Sequence, residues 1–136
     1  MGLSQEEKDA VVKIRLRQAN ETYTEISVLI DNKLWRTAAN RLYYACYYAA
    51  MALMIHSGHQ TKTHSGLIGL FGLHFVQTQR ISAETALVLR KLFELRQKGD
   101  YDVWVDVKQE MVLPLINPAE TFISEIGKII NEQRKK

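Results

Sequence analysis

The stretch Trp35-Arg36-Thr37-Ala38-Ala39-Asn40-Arg41-Leu42-Tyr43-Tyr44-Ala45-Cys46-Tyr47-Tyr48-Ala49-Ala50-Met51-Ala52-Leu53-Met54-Ile55-His56 decides the fold. It is rich in alanine and methionine and has neither glycine nor proline, so nothing interrupts a helix along it. The polar loop Ser57-Gly58-His59-Gln60-Thr61-Lys62-Thr63 then stops it. As the most apolar element of the chain it is expected at the centre, with other amphipathic helices laid around it. Helices of this length cannot bury their apolar stripes alone, and four of them around one core is the economical solution.

Working outward toward the amino terminus, Ser4 and Glu7 have capping-box spacing. A first long helix is expected from there through Val11, Val12, Ala19, Tyr23, Ile26 and Ile30, with a break near Asp31-Asn32. On the other side, the segment from about His64 to Gln77 carries Gly66, Gly69 and Gly72 at three-residue intervals. That spacing lets another backbone approach but weakens a helix by about 1 kcal/mol per glycine relative to alanine. A short, tightly packed or partly irregular helix is expected. Ser82 caps a firmer one, in which Leu89, Leu92, Phe93 and Arg96 follow the i, i+3, i+4, i+7 rule of a buried face.

After a break at Gly99-Asp100, a final helix is expected to open near Pro114 or Pro118 and to align Ala119, Phe122, Ile123, Ile126 and Ile130. Strand-like alternation is confined to Val103 to Val107, and no repeat of solenoid period occurs. The expected fold is all-α, an up-and-down four-helix bundle with an additional short helix.

At 136 residues the chain is long enough for one genuine core and too short for a second domain of ordinary size, so residues 1–136 are read as a single domain. Hydrophobic residues make up 46% and charged residues 24%, which is globular composition. The single cysteine, Cys46, excludes an intramolecular disulfide framework and fits a reducing compartment. The amino terminus has no basic flank leading into an apolar run, and the apolar stretch between Arg41 and His56 is too short and too rich in tyrosine to span a bilayer. A cytoplasmic protein without membrane contact is expected. Net charge is +3, much of it from Arg134-Lys135-Lys136 in a tail, about 131–136, expected to fray. Such basicity alone does not make an RNA-binding protein.

Three segments carry candidate chemistry. On the central helix, Arg41, Tyr44 and Tyr48 share one face, while Asn40, Tyr43/Tyr44 and Tyr47 share its neighbour. Either the tyrosines pack in the core or a dimer interface with their hydroxyls satisfied locally, or Asn40 and Arg41 line a polar cleft. In Leu95-Arg96-Gln97-Lys98-Gly99-Asp100-Tyr101-Asp102 an arginine sits on the buried side of a helix. A guanidinium there must be paired or face a ligand. Either Arg96 pairs with Asp100, Asp102 or another carboxylate, or it meets phosphate or RNA. Third come His56, His59, His64 and His74, whose spacing lacks the cysteine or carboxylate ligands of a zinc site, so no metal is expected. Lys62-Thr63-His64-Ser65-Gly66 reads instead as a helix start capped by Thr63, whose main-chain N–H groups could also receive a phosphate. It is not a Walker loop, and no cofactor is implied.

Asn40-Arg41-Leu42-Tyr43-Tyr44-Ala45, Lys62-Thr63-His64-Ser65-Gly66 and Arg96 followed by Asp100-Tyr101, in this order, resemble the bacterial branch of small stand-alone HEPN (higher eukaryotes and prokaryotes nucleotide-binding) proteins. The resemblance runs from about Asn20 to Ile130. It implies a bundle that is typically a homodimer, often encoded beside a minimal nucleotidyltransferase, the two acting as toxin and antitoxin or as a nucleotide-handling module. Many family members are metal-independent ribonucleases whose motif is an arginine, four to six residues, then a histidine. Arg96 matches the arginine, but Tyr101 stands where the histidine would be. A tyrosine with a pKa of about 10 is a poor acid or base at neutral pH, so strong catalysis requires a histidine from elsewhere, such as His64. In some family pairs the nucleotidyltransferase adenylylates a tyrosine near this motif, which nominates Tyr101.

The resemblance leaves three readings. One is a weakly catalytic or non-catalytic partner of a nucleotidyltransferase that binds nucleotide or RNA through Asn40, Arg41, Tyr44, Lys62, His64, Arg96 and Asp100. Another is a ribonuclease toxin with a degenerate motif centred on Arg96. The last is a purely structural dimerisation module.

Overall fold

The computed structural model describes residues 2–59, 61–102 and 104–134. Among them every regular element is a helix: α1 (Gln5–Thr24), α2 (Ile26–Asp31), α3 (Trp35–His56), α4 (His64–Phe71), α5 (Ala83–Tyr101) and α6 (Gln109–Arg134). A π-helical turn, Gly72–Val76, extends α4. The expected all-α bundle is what forms, with α1, α3, α5 and α6 as its long helices.

The helix starts follow from side-chain caps. Ser4 Oγ accepts from Glu7 N at 3.1 Å while Glu7 Oε1 accepts from Ser4 N at 3.1 Å, a complete capping box. Thr63 Oγ1 accepts from Gly66 N at 2.9 Å to open α4, and Ser82 Oγ accepts from Thr85 N at 3.1 Å to open α5. The helix ends share another device. At Lys33, Gly58 and Gln79 the chain enters the left-handed region, with φ of 58°, 85° and 62°. In each case the next residue's N–H reaches back five residues: Leu34 to Leu29, His59 to Met54 and Arg80 to Phe75. These are Schellman closures, which satisfy carbonyls left over at the end of a helical segment.

α3 is central, packing on α1, α5 and α6. Ala38, Ala45, Ala49, Ala50 and Ala52 along it are fully buried, and such small side chains let its neighbours come close. α1 and α3 run antiparallel, Thr22 meeting Arg41 at one end and Arg15 meeting Tyr48 at the other. α5 also runs antiparallel to α3, with Asn40 against Asp100 and Tyr43 against Phe93. Cys46 is fully buried beside the Ala119 carbonyl of α6, and burial pushes its thiol pKa up, so it behaves as a small core residue. Phe71, Phe75 and Phe122 tie the short α4 and its π turn to α6.

Several expectations need correction. The last helix opens at Gln109, ahead of both prolines. Each proline removes one internal hydrogen-bond donor, and the helix persists because Val112, Ala119 and Phe122 bury its face on both sides of them. α5 does not break at Gly99 but continues to Tyr101. Gly99 is required by a close approach: a Cβ there would lie 2.8 Å from Val107 Cγ2. Helix one is interrupted earlier than expected, at Glu25, before α2 carries it to Asp31. The residues of the Val103–Val107 stretch that are described form no strand, and Val103 lies outside the described residues. α6 reaches Arg134, so the tail is helical beyond residue 131; Lys135 and Lys136 are outside the described residues. A Cβ on Gly69 or Gly72 would meet nothing within 4 Å, so no close backbone approach explains those two glycines within the chain. Among the described residues, no helix is long and apolar enough to cross a membrane.

Candidate functional site

Asn40, Tyr43, Tyr44 and Tyr47 lie at positions i, i+3, i+4 and i+7 of α3 and so form one stripe. Because α5 runs antiparallel to α3, the i, i+4 pair Arg96 and Asp100 faces the amino-terminal part of this stripe. His64, the first residue of α4, closes over the tyrosines.

Arg96 is the centre of the cluster. Its guanidinium carbon stands 5.1 Å from the Tyr44 ring centroid and 5.5 Å from that of Tyr43, within cation–π range of both. Its side chain is only 15% exposed. Nε lies 3.4 Å from Asp100 Oδ2, an ion-pair distance, yet this buried nitrogen completes no hydrogen bond. The same Asp100 oxygen accepts from Asn40 Nδ2 at 3.4 Å. Of the pairings open to the sequence, Arg96 thus takes Asp100 and not Asp102.

His64 is held by aromatic rings. Its ring stacks on Tyr43 with centroids 5.7 Å apart and meets Tyr47 edge-on at 4.3 Å and Tyr44 edge-on at 5.9 Å. Its Nδ1 is 2.7 Å from the Tyr43 hydroxyl. Burial, and then the neighbouring Arg96 charge, hold its pKa below the ordinary value. Burial pushes the Tyr43 hydroxyl well above its usual range, so that group keeps its proton. Among the described residues the hydroxyl has no other hydrogen-bond partner than Nδ1. The arrangement that satisfies both groups has Tyr43 donating to Nδ1, with the proton of neutral His64 on Nε2. His64 then offers a ligand an N–H donor rather than a base.

The sequence-predicted residues divide accordingly. Asn40, Tyr44, His64, Arg96 and Asp100 come together. Arg41 does not: its Nε lies 3.2 Å from Glu25 Oε2 and its Nη2 donates to Thr22 Oγ1 at 3.4 Å, which pins α3 to the α1–α2 joint. One residue after Asn40, it is rotated by about 100° onto the face that meets α1. Lys62 is exposed in the turn before α4. Tyr101 is exposed on the last turn of α5, adjacent in sequence to Asp100. His59 stacks on His74 with centroids 3.8 Å apart, apart from the Tyr43–His64 contact. Sequence reasoning passed over Tyr43 and Tyr47 as site residues, although both lie on the Asn40 stripe whose spacing marked that face.

A partly desolvated guanidinium, an imidazole N–H and a carboxamide around an aromatic wall are suited to hold the oxygens of a phosphate.

The family described as HEPN domain matches residues 12–130. A Thermotoga maritima protein named "UPF0332 protein" is 32% identical over 129 residues, covering 95% of this chain and 98% of that protein. A Methanocaldococcus jannaschii protein named "Putative toxin MJ0605" is 34% identical over 127 residues, covering 93% of this chain and 91% of its own. A second protein of that organism, "Putative toxin MJ0142", is 24% identical over 115 residues, covering 85% and 78%.

Proposed function

Because the chain belongs to the HEPN domain family, we propose that it is the toxin-like member of a two-component module. In this reading it binds the phosphate of a nucleotide or of RNA in the cleft between α3, α4 and α5, works as a homodimer with a minimal nucleotidyltransferase, and has little or no catalysis of its own. The observation that carries the reading is the contact between Tyr43 and His64. With Tyr43 donating, the neutral imidazole presents Nε2–H, which binds an anion but cannot take a proton from a ribose hydroxyl. The imidazolium that would serve as general acid is disfavoured by burial and by Arg96. Arg96 supplies the charge, and its unsatisfied Nε is a donor in want of an acceptor.

Relatives named "Putative toxin" support the two-component part of the reading. So does the 72% exposure of Tyr101, which leaves its hydroxyl open to a modifying enzyme. The test pairs metal-free incubation of a mixed RNA pool with binding of the same RNA, wild type beside Arg96→Ala, and light scattering on both. RNA binding that depends on Arg96, without cleavage, is expected from an intact dimer. Arginine-dependent cleavage would overturn the non-catalytic reading. Co-expression with a minimal nucleotidyltransferase is expected to add nucleotide mass to wild type and not to Tyr101→Phe.

A second reading, a ribonuclease, is favoured by one observation, the arrival of His64 beside Arg96. Were Tyr43 to accept from Nδ1–H instead, Nε2 would be a free base. That reading predicts metal-free cleavage abolished by His64→Ala as well as by Arg96→Ala.

A further inference from the structure

The phosphate cleft leaves unexplained the most conspicuous exposed side chains of the molecule. Trp104 is 91% exposed and Tyr101 72% exposed, at the end of α5 and in the loop that follows. With Gln97, Lys98 and Asp102 they line an open depression of about 500 Å³. Asp102 Oδ1 accepts from Trp104 N at 2.9 Å. That hydrogen bond ties the Trp104 N–H to Asp102 while the ring is left to solvent.

We infer that this depression is a nucleobase-stacking subsite, which receives an unpaired base of single-stranded RNA whose backbone phosphate is held at Arg96. The inference rests on the proposed phosphate cleft and names its ligand class. Two π faces surrounded by a carboxamide, a carboxylate and an ammonium match a nucleobase: the rings stack on it, Gln97 and Asp102 meet donors and acceptors on its edge, and Lys98 meets the adjoining phosphate. A protein surface covering the same tryptophan would bury both rings and change the mass of the assembly, which the test below separates from base stacking.

Register supports the coupling. Gln97 and Tyr101 stand one residue on from Arg96 and Asp100, about 100° around α5 and at the same height. A strand crossing the end of α5 can therefore reach both the guanidinium and the aromatic depression. Both lie at the Asn40 end of the cleft, where the α3 stripe begins.

The experiment titrates full-length protein with oligoadenylate and oligouridylate of about ten nucleotides, a length that covers one such site. Trp35→Phe serves as background, so that Trp104 is the only tryptophan emitter. Quenching of Trp104 emission is expected, and affinity read by anisotropy of end-labelled oligonucleotide is expected to fall about tenfold in Trp104→Ala and to be largely kept in Trp104→Phe, as base stacking requires. Light-scattering mass should not change. Unchanged affinity in Trp104→Ala, with binding still lost in Arg96→Ala, would overturn the subsite and spare the cleft. A change in mass on Trp104→Ala would overturn it in favour of a protein interface. Failure of wild-type protein to bind either oligonucleotide would overturn both subsite and RNA cleft.

Discussion

The Tyr43 hydroxyl lies 2.7 Å from Nδ1 of His64, whose ring stacks on that of Tyr43. This contact fixes which nitrogen of His64 is offered to a ligand. Two-bond nitrogen–proton NMR at neutral pH should find His64 neutral with its proton on Nε2. Tyr43→Phe should release it to a mixture of tautomers and cost about 1 kcal/mol of stability, the net value of one such hydrogen bond. A wild-type histidine protonated on Nδ1 would overturn the assignment and restore the ribonuclease reading.

The pH dependence of stability follows from two histidines. The fold holds His64 below its ordinary pKa of 6.5 by burial and then by Arg96, and holds His59 below it by burial and then by His74. As pH falls through that value the unfolded chain takes up these protons first, so stability present above it is lost below it. Urea midpoints should fall between about pH 7.5 and about pH 5, and His59→Gln with His64→Gln together should flatten that fall. A slope unchanged in the double variant would refute the assignment.

Arg41 and Arg96 are separable. Arg41 is one-third exposed and its partner Glu25 more than half, so Arg41→Ala should cost less than about 1 kcal/mol and leave phosphate or RNA binding intact. Arg96→Ala should abolish binding. Equal losses of binding in the two variants would mean that the cleft extends to the α1 side of α3.

Two Schellman closures place L-residues in the left-handed region without need, Lys33 at φ 58° and Gln79 at φ 62°. Lys33→Gly and Gln79→Gly should each raise stability by about 0.5–1 kcal/mol, since glycine adopts that conformation freely. A fall in the denaturation midpoint of either variant would show that the side chain matters more than the backbone.

These closures also explain what the sequence concealed. Helix starts at Ser4, Thr63 and Ser82 were legible because a cap leaves a side-chain signature. The α3 stop was legible because Gly58 occupies its left-handed position, whereas Lys33 and Gln79 advertise nothing. Pro114 and Pro118 read as a helix opening because proline favours a first turn, but burial of Val112 ahead of them decided otherwise. Asn40 and Arg96 were legible as polar groups on apolar stripes. Arg41 was not, because only the position of α1 tells which side of α3 meets Glu25. The meeting of His64 with Arg96 joins two segments about a quarter of the chain apart, and no local pattern encodes it.

The central claim is tested most directly by titrating ¹⁵N-labelled protein with AMP while following the Arg96 Nε–H and His64 Nε2–H resonances. The account predicts that both move together and saturate, and that the His64 shift disappears in Arg96→Ala. Resonances that stay in place while AMP is bound elsewhere, or an AMP titration that Arg96→Ala does not alter, would contradict it.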